Sequence, residues 1–176
     1  MSQTNNMRPY NEGSCDAILD TAKTVHAEES ERFNQCENKT NIGLAFTGVI
    51  LGAYITYLGA YKPPLKDASY LTYTLVFKAS ILVLLTVAII YFLKSIKKGE
   101  YEQIDLNNII DLNFARDNAT KVKLEIAATY NQVIVNNRDK LDAKLRYYDT
   151  GLKFVTWGFL LFVIHFLLEE IIKYAK

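Results

Sequence analysis

The apolar residues of this chain fall into three long blocks, 42–61, 70–93 and 154–172, and the charges gather between them. A bilayer core of ~30 Å is crossed by roughly 20 apolar residues, each rising ~1.5 Å in a helix. The block from Ile42 to Tyr61 holds no charge, and the block from Tyr70 to Leu93 holds one, Lys78. The block from Phe154 to Ile172 is uncharged as far as Glu169 and Glu170. The remaining residues are too polar to enclose three such segments in a soluble core. The pattern predicts an all-α membrane protein with three transmembrane helices.

The polar blocks carry a weaker rhythm. Ser14 as N-cap, with Asp16 in the first turn, predicts a helix running to about Asn38. Its apolar positions Ile18, Ala22, Val25, Phe33 and Cys36 are only loosely periodic. Ile104 to Phe114 reads as a short helix. From about Asn118, Val122, Ile126, Tyr130, Val133, Asn137, Leu141, Leu145 and Tyr148 recur at spacings of three and four, which predicts a long helix. No proline separates that helix from the third span, so the two are expected to be nearly continuous. The expected organisation is an N-terminal acidic helix (1–41), a transmembrane hairpin (42–93), a helical region (94–153) and a third span with the C-terminus (154–176). So long a stripe needs a partner, either the N-terminal helix or the same helix of a neighbouring subunit. Asn137 within it suits a register-setting position in an oligomer or an edge facing water.

Composition adds exclusions. Over 176 residues the chain is 50% hydrophobic and 22% charged with a formal net charge of +1, an average that hides the segregation just described. Near-neutrality gives no support to a dedicated nucleic-acid-binding domain. Cys15 and Cys36 are too few for a disulfide scaffold. Residues 1–41 hold seven acidic and four basic side chains, unlike a signal peptide with its basic start and immediate apolar core. The acidic helix reads either as a solvated face packed on its neighbours or as a gate held against a basic mouth. Eleven basic residues lie between Lys94 and Lys153, against two lysines in 62–69. That bias predicts a cytoplasmic N-terminus and long segment, with the short loop and the C-terminus outside. Tyr54, Tyr57, Tyr61, Tyr70 and Tyr73 then gather at the outer end as an aromatic belt.

No catalytic or metal-binding constellation is legible. His26 and His165 are the only histidines, and there is no phosphate loop or nucleophile elbow. The expectation is a protein without enzymatic activity and without a cofactor. Three features carry other chemistry. Ala45, Gly48, Gly52, Thr56 and Gly59 form a small-residue face on the first span that lets another helix approach closely, in the same subunit or a neighbour. Lys78, His165 and Glu169 fall at roughly one level of the second and third spans. Lys78 there snorkels, pairs with Glu169 or Glu170, or lines an aqueous path with Thr74 and Thr86. Arg138, Lys140, Lys144, Arg146 and Lys153 form a basic set near the membrane, which meets lipid headgroups or, as a ring in an oligomer, an anionic ligand or permeant anion.

The layout resembles a group of small bacterial membrane effectors of antiphage defence, the SLATT-type and Pycsar transmembrane effectors. The resembling parts are Glu31-Arg-Phe-Asn-Gln-Cys-Glu-Asn-Lys39 leading into the first span, the helical hairpin, and Asn136-Asn-Arg-Asp-Lys-Leu-Asp-Ala-Lys144 before the last apolar block. The effectors of Hailong systems are similar in plan. The resemblance implies a homo-oligomer, of tetrameric kind, in the inner membrane. It implies a pore that depolarises the cell when a partner nucleotidyltransferase or cyclase changes a nucleotide or short oligonucleotide signal. Two features depart from it: SLATT effectors are named for two spans, and this chain has no separate ligand-sensing domain. The rival expectations are a non-conducting anchor for a soluble partner and a holin-like lesion former.

Overall fold

The structure, a computed structural model, describes residues 10–60, 68–104 and 116–174. They form three helices, α1 (Glu12–Ala60), α2 (Ala68–Lys97) and α3 (Ala119–Tyr174). Each contains a stretch long and apolar enough to cross a membrane. The chain is therefore all-helical with three candidate spans, as its apolar blocks predict.

The caps follow from side chains that compete for the first free N–H groups. Asn11 opens α1, its Oδ1 accepting from the Ser14 N–H at 3.1 Å, so Asn11 and not Ser14 is the cap. Asn118 opens α3, its Oδ1 accepting from both the N–H (2.9 Å) and the hydroxyl (2.8 Å) of Thr120. Gly99, at φ +113°, follows α2 in a left-handed conformation that ends the helix without a Cβ clash. The expected break between the acidic helix and the first span does not occur: α1 is one helix of 49 residues. At the polar junction Thr40 donates its hydroxyl to the Cys36 carbonyl at 2.8 Å. The expected continuity of the long helix with the third span is found in the 56 residues of α3. The short helix expected at Ile104 to Phe114 falls, but for Ile104, outside the described residues.

Buried positions recur by threes and fours along each helix. On α2 they are Thr74, Lys78, Ile81, Leu85, Ala88, Phe92 and Ser95. On α1 the run Glu29, Phe33, Cys36, Thr40, Thr47, Ile50 and Tyr54 follows the same register. On α3 it passes through Ala127, Ile134, Asn137, Leu141, Lys144, Gly151, Val155, Gly158, His165 and Glu169. This is heptad spacing. The stripe read from the sequence shares Asn137 and Leu141 with the seam. Lys144, not Leu145, takes the next buried place.

Packing divides the chain into two compact units, residues 1–34 with 100–141, and residues 35–99 with 142–176. In the first, Tyr101 sets its ring edge-on to His26 (5.5 Å) and Phe33 (5.4 Å), and its hydroxyl donates to the His26 carbonyl at 3.1 Å. Asn137 is buried and imitates a peptide group. It accepts from the Glu102 N–H at 2.8 Å and donates to the Glu102 carbonyl at 2.9 Å. It therefore binds the chain's own segment rather than facing water.

In the second unit α2 runs antiparallel to the paired parts of α1 and α3, around a core of Ile50, Tyr54, Ile81, Leu85, Ala88, Phe92 and Val155. Phe92 fits where two glycines leave room: a Cβ on Gly43 or on Gly151 would meet its ring at 2.9 Å. Leu85 fits likewise against Gly158, at 3.0 Å. Ser95 donates to the Lys144 carbonyl at 3.0 Å and lies 3.3 Å from the Thr40 hydroxyl, joining all three helices. Large apolar side chains such as Val49, Val76, Val83, Trp157 and Ile171 point outward, the arrangement expected of a bundle solvated by lipid.

Candidate functional site

The groups at membrane depth come together inside the second unit. Lys78 (7% exposed), His165 (0%) and Glu169 (1%) are all buried, although each carries an ionisable head. Lys78 Nζ lies 3.7 Å from Glu169 Oε1, and His165 Nε2 lies 3.2 Å from the same oxygen. The other oxygen, Oε2, accepts from the Tyr57 hydroxyl. Lys78 Nζ also stands 5.1 Å over the Tyr57 ring, and the Tyr54 hydroxyl donates to the Lys78 backbone carbonyl at 2.7 Å. His165 stacks on Phe77 (centroids 5.5 Å apart, planes at 16°), with Tyr73 at 6.0 Å.

The arrangement answers the cost of burying charge. An ionisable group in lipid costs a few kcal/mol or more, so it pairs, snorkels or faces a cavity. Here Lys78 pairs with Glu169. Removing one member of a buried pair leaves the other uncompensated, which costs about 3–5 kcal/mol. Beside the pair, a cavity of about 350 Å³ is lined by Leu58, Leu71, Thr74, Leu75, Lys78, Ala79 and Leu82. Thr74 is fully buried and belongs to the site. Thr86 does not: it is exposed on another face of α2.

Tyr54 and Tyr57 were missed as site residues. They face the bundle interior rather than forming an interfacial belt, and Tyr61 falls outside the described residues. The sequence holds a signal in retrospect: Tyr54 and Tyr57 continue the buried register of α1 from Thr47 and Ile50, three and four residues apart.

The five basic candidates separate into two groups by their partners. Arg138 places Nε at 3.1 Å and Nη2 at 3.0 Å from Oε1 of the buried Glu29. Lys140 pairs with Glu102 at 2.6 Å, which holds the Glu102 carboxyl below its usual pKa. Lys144 is buried and donates to Glu37. Arg146 and Lys153 are exposed and form no ion pair among the described residues. The acidic N-terminal helix thus supplies carboxylates to basic residues of its own chain; Lys123 likewise meets Asp16 at 2.6 Å and Glu12 at 3.2 Å.

The small-residue face looks outward. A Cβ on Gly48, Gly52 or Gly59 would meet nothing within 4 Å, and Ala45 and Thr56 are exposed. Within this chain close helix approach is made by Gly43, Gly151 and Gly158. No group of His, Cys, Asp and Glu among the described residues is arranged to hold a metal ion. No known protein family, curated protein or solved structure matches the chain at a significant level.

Proposed function

We propose that the chain is the subunit of a homo-oligomeric, tetrameric inner-membrane effector that forms a gated ion pathway and depolarises the cell in antiphage defence. The observation that supports this reading is the Lys78–His165–Glu169 cluster, because ionisable residues held at membrane depth mark ion and proton routes. The core beside it is filled by Ile50, Ile81, Leu85 and Phe92. The outward face from Ala45 to Gly59 is the surface on which a second copy approaches closely. The orientation read from the basic residues puts the N-terminus in the cytoplasm.

The trigger in this reading is a nucleotide or short oligonucleotide made by a partner nucleotidyltransferase or cyclase. Its phosphates meet Arg146 and Lys153 directly. At Arg138, Lys140 and Lys144 they compete with Glu29, Glu102 and Glu37 for cations already paired, which gives a charge-controlled switch.

Planar-bilayer recording of the purified protein tests the reading. Discrete ion currents that change on adding nucleotide are expected, with calcein retained in parallel liposomes. No current with any nucleotide would leave the non-conducting anchor, and calcein release would leave the holin-like lesion former.

A further inference from the structure

We propose that the ion carried is the proton, with His165 and Glu169 as the station that relays it. The inference rests on the ion-pathway reading and identifies its cargo. Of the Glu169 carboxylate oxygens, Oε2 accepts from the Tyr57 hydroxyl, while Oε1 lies within ion-pair distance of Lys78 Nζ and His165 Nε2 and takes no hydrogen bond from either. A metal cation there faces the Lys78 charge. An anion faces the carboxylate. A proton needs neither space nor a shell of ligands, only a donor and an acceptor within reach, and His165 Nε2 and Glu169 Oε1 stand 3.2 Å apart.

The second observation concerns the other side of the ring. His165 is fully buried, and neither Nδ1 nor Nε2 has a hydrogen-bond partner among the described residues. The hydroxyls of Tyr73 and Thr74 are buried and also lack one. Buried polar groups are nearly always satisfied, by protein or by ordered water. The Tyr73 and His165 rings lie 6.0 Å apart, so a water between them satisfies both.

The relay follows from imidazole chemistry. His165, neutral with its proton on Nε2, accepts a proton from that water side at Nδ1 and becomes imidazolium. It gives the Nε2 proton to Glu169 Oε1, leaving a neutral carboxylic acid and a neutral imidazole in the other tautomer. The acid releases its proton to water, and a half-turn of the ring presents the Nδ1–H to the carboxylate and Nε2 to the water side for the next proton. Tyr57 from α1, Tyr73 and Lys78 from α2, and Glu169 from α3 are the titratable groups facing the ring. The Glu169 carboxylate favours the imidazolium and the Lys78 ammonium opposes it.

Two measurements test this. In sealed liposomes with the membrane potential clamped by potassium and valinomycin, the open protein is expected to collapse a pH gradient. His165→Gln, which keeps a hydrogen-bonding group of similar size, is expected to lower proton flux about 100-fold, with the oligomer unchanged by native mass spectrometry. Potassium or chloride current without proton flux, unaltered in His165→Gln, overturns the proton assignment while the ion pathway stands. No current of any kind overturns both.

The second measurement needs no opening. Infrared difference spectra of the purified full chain between alkaline and acid pH are expected to show a carboxylic-acid band that is absent in Glu169→Gln. Identical spectra for the two proteins show that Glu169 binds no proton and overturn the proposal even if a current is found.

Discussion

At the scale of single residues, the chain's charged groups earn burial only where a partner meets them, and each partnership makes a test. His26 is the clearest outside the spans. Its ring lies edge-on to Tyr101 and to Tyr130 (5.2 Å), its Nε2 is buried without a hydrogen-bond partner, and burial holds its pKa below the ordinary value of 6.5. The folded unit therefore favours neutral imidazole. That stabilisation is complete above the unfolded pKa and is lost as pH falls below it toward the depressed native value. The Glu102 amide, held by Asn137 at 2.8 Å beside Tyr101, reports it. Its hydrogen-exchange protection is expected to fall as pH drops below about 6.5, and His26→Phe, which keeps an aromatic ring among the rings, is expected to retain protection. Unchanged protection in the wild type would show that His26 does not couple to this segment. The buried Cys36 thiol, pushed up by its desolvation, fits the same rule: it is a packing group, with its thiolate disfavoured.

At the scale of elements, the governing fact is that the buried seam mixes large apolar side chains with small and polar ones, while many large apolar side chains face outward. This mixture explains what was legible in the sequence and what was not. The three spans were visible, because outward apolar residues make the long runs that length and hydropathy reveal. Lys78, His165 and Glu169 stood out as ionisable groups inside such runs. The seam was only partly visible: the stripe from Val122 to Tyr148 shares Asn137 and Leu141 with it, but a search for apolar periodicity passes over Thr40, Gly43, Lys144 and Gly158. Tyr54 and Tyr57 were not assigned because a tyrosine near a span end fits an interfacial belt equally well. The two classes of glycine separate the seam from the outer face experimentally. Gly151→Val drives a branched side chain into Phe92, whose ring a Cβ already meets at 2.9 Å. Overpacking of this kind costs about 1–3 kcal/mol, and the variant is expected to unfold at correspondingly lower denaturant. Gly52→Leu meets open space, so the fold of the chain is expected to hold while the proposed assembly is lost by native mass spectrometry. An intact oligomer in Gly52→Leu would remove the outer face from the interface.

At the scale of the whole molecule, the proposed orientation decides what each group can meet, and it rests on charge. The basic residues Lys94, Lys97 and Lys98 follow one candidate span and Lys153 precedes another, whereas residues 62–69 carry only Lys62 and Lys66. Lysine and arginine near span ends are retained on the cytoplasmic side. Eleven basic residues from Lys94 to Lys153 against two in the short loop are the basis on which we propose that the first span inserts with its N-terminus inside. The functional proposal depends on this sign. A nucleotide signal made in the cell reaches Arg146 and Lys153 only from the cytoplasm, while a proton entering from outside approaches the His165 end of the third span first. Single cysteines in a Cys15→Ala/Cys36→Ala background test it in intact cells. Lys66→Cys is expected to react with a membrane-impermeant maleimide before permeabilisation, and Lys98→Cys only after it. The reverse pattern would place the basic set outside, away from any cytoplasmic nucleotide, and the trigger would have to be sought on the other face of the membrane. Adding lysines to residues 62–69 is a second handle on the same balance: if charge sets the orientation, enough of them should shift the Lys98→Cys label to the outer side.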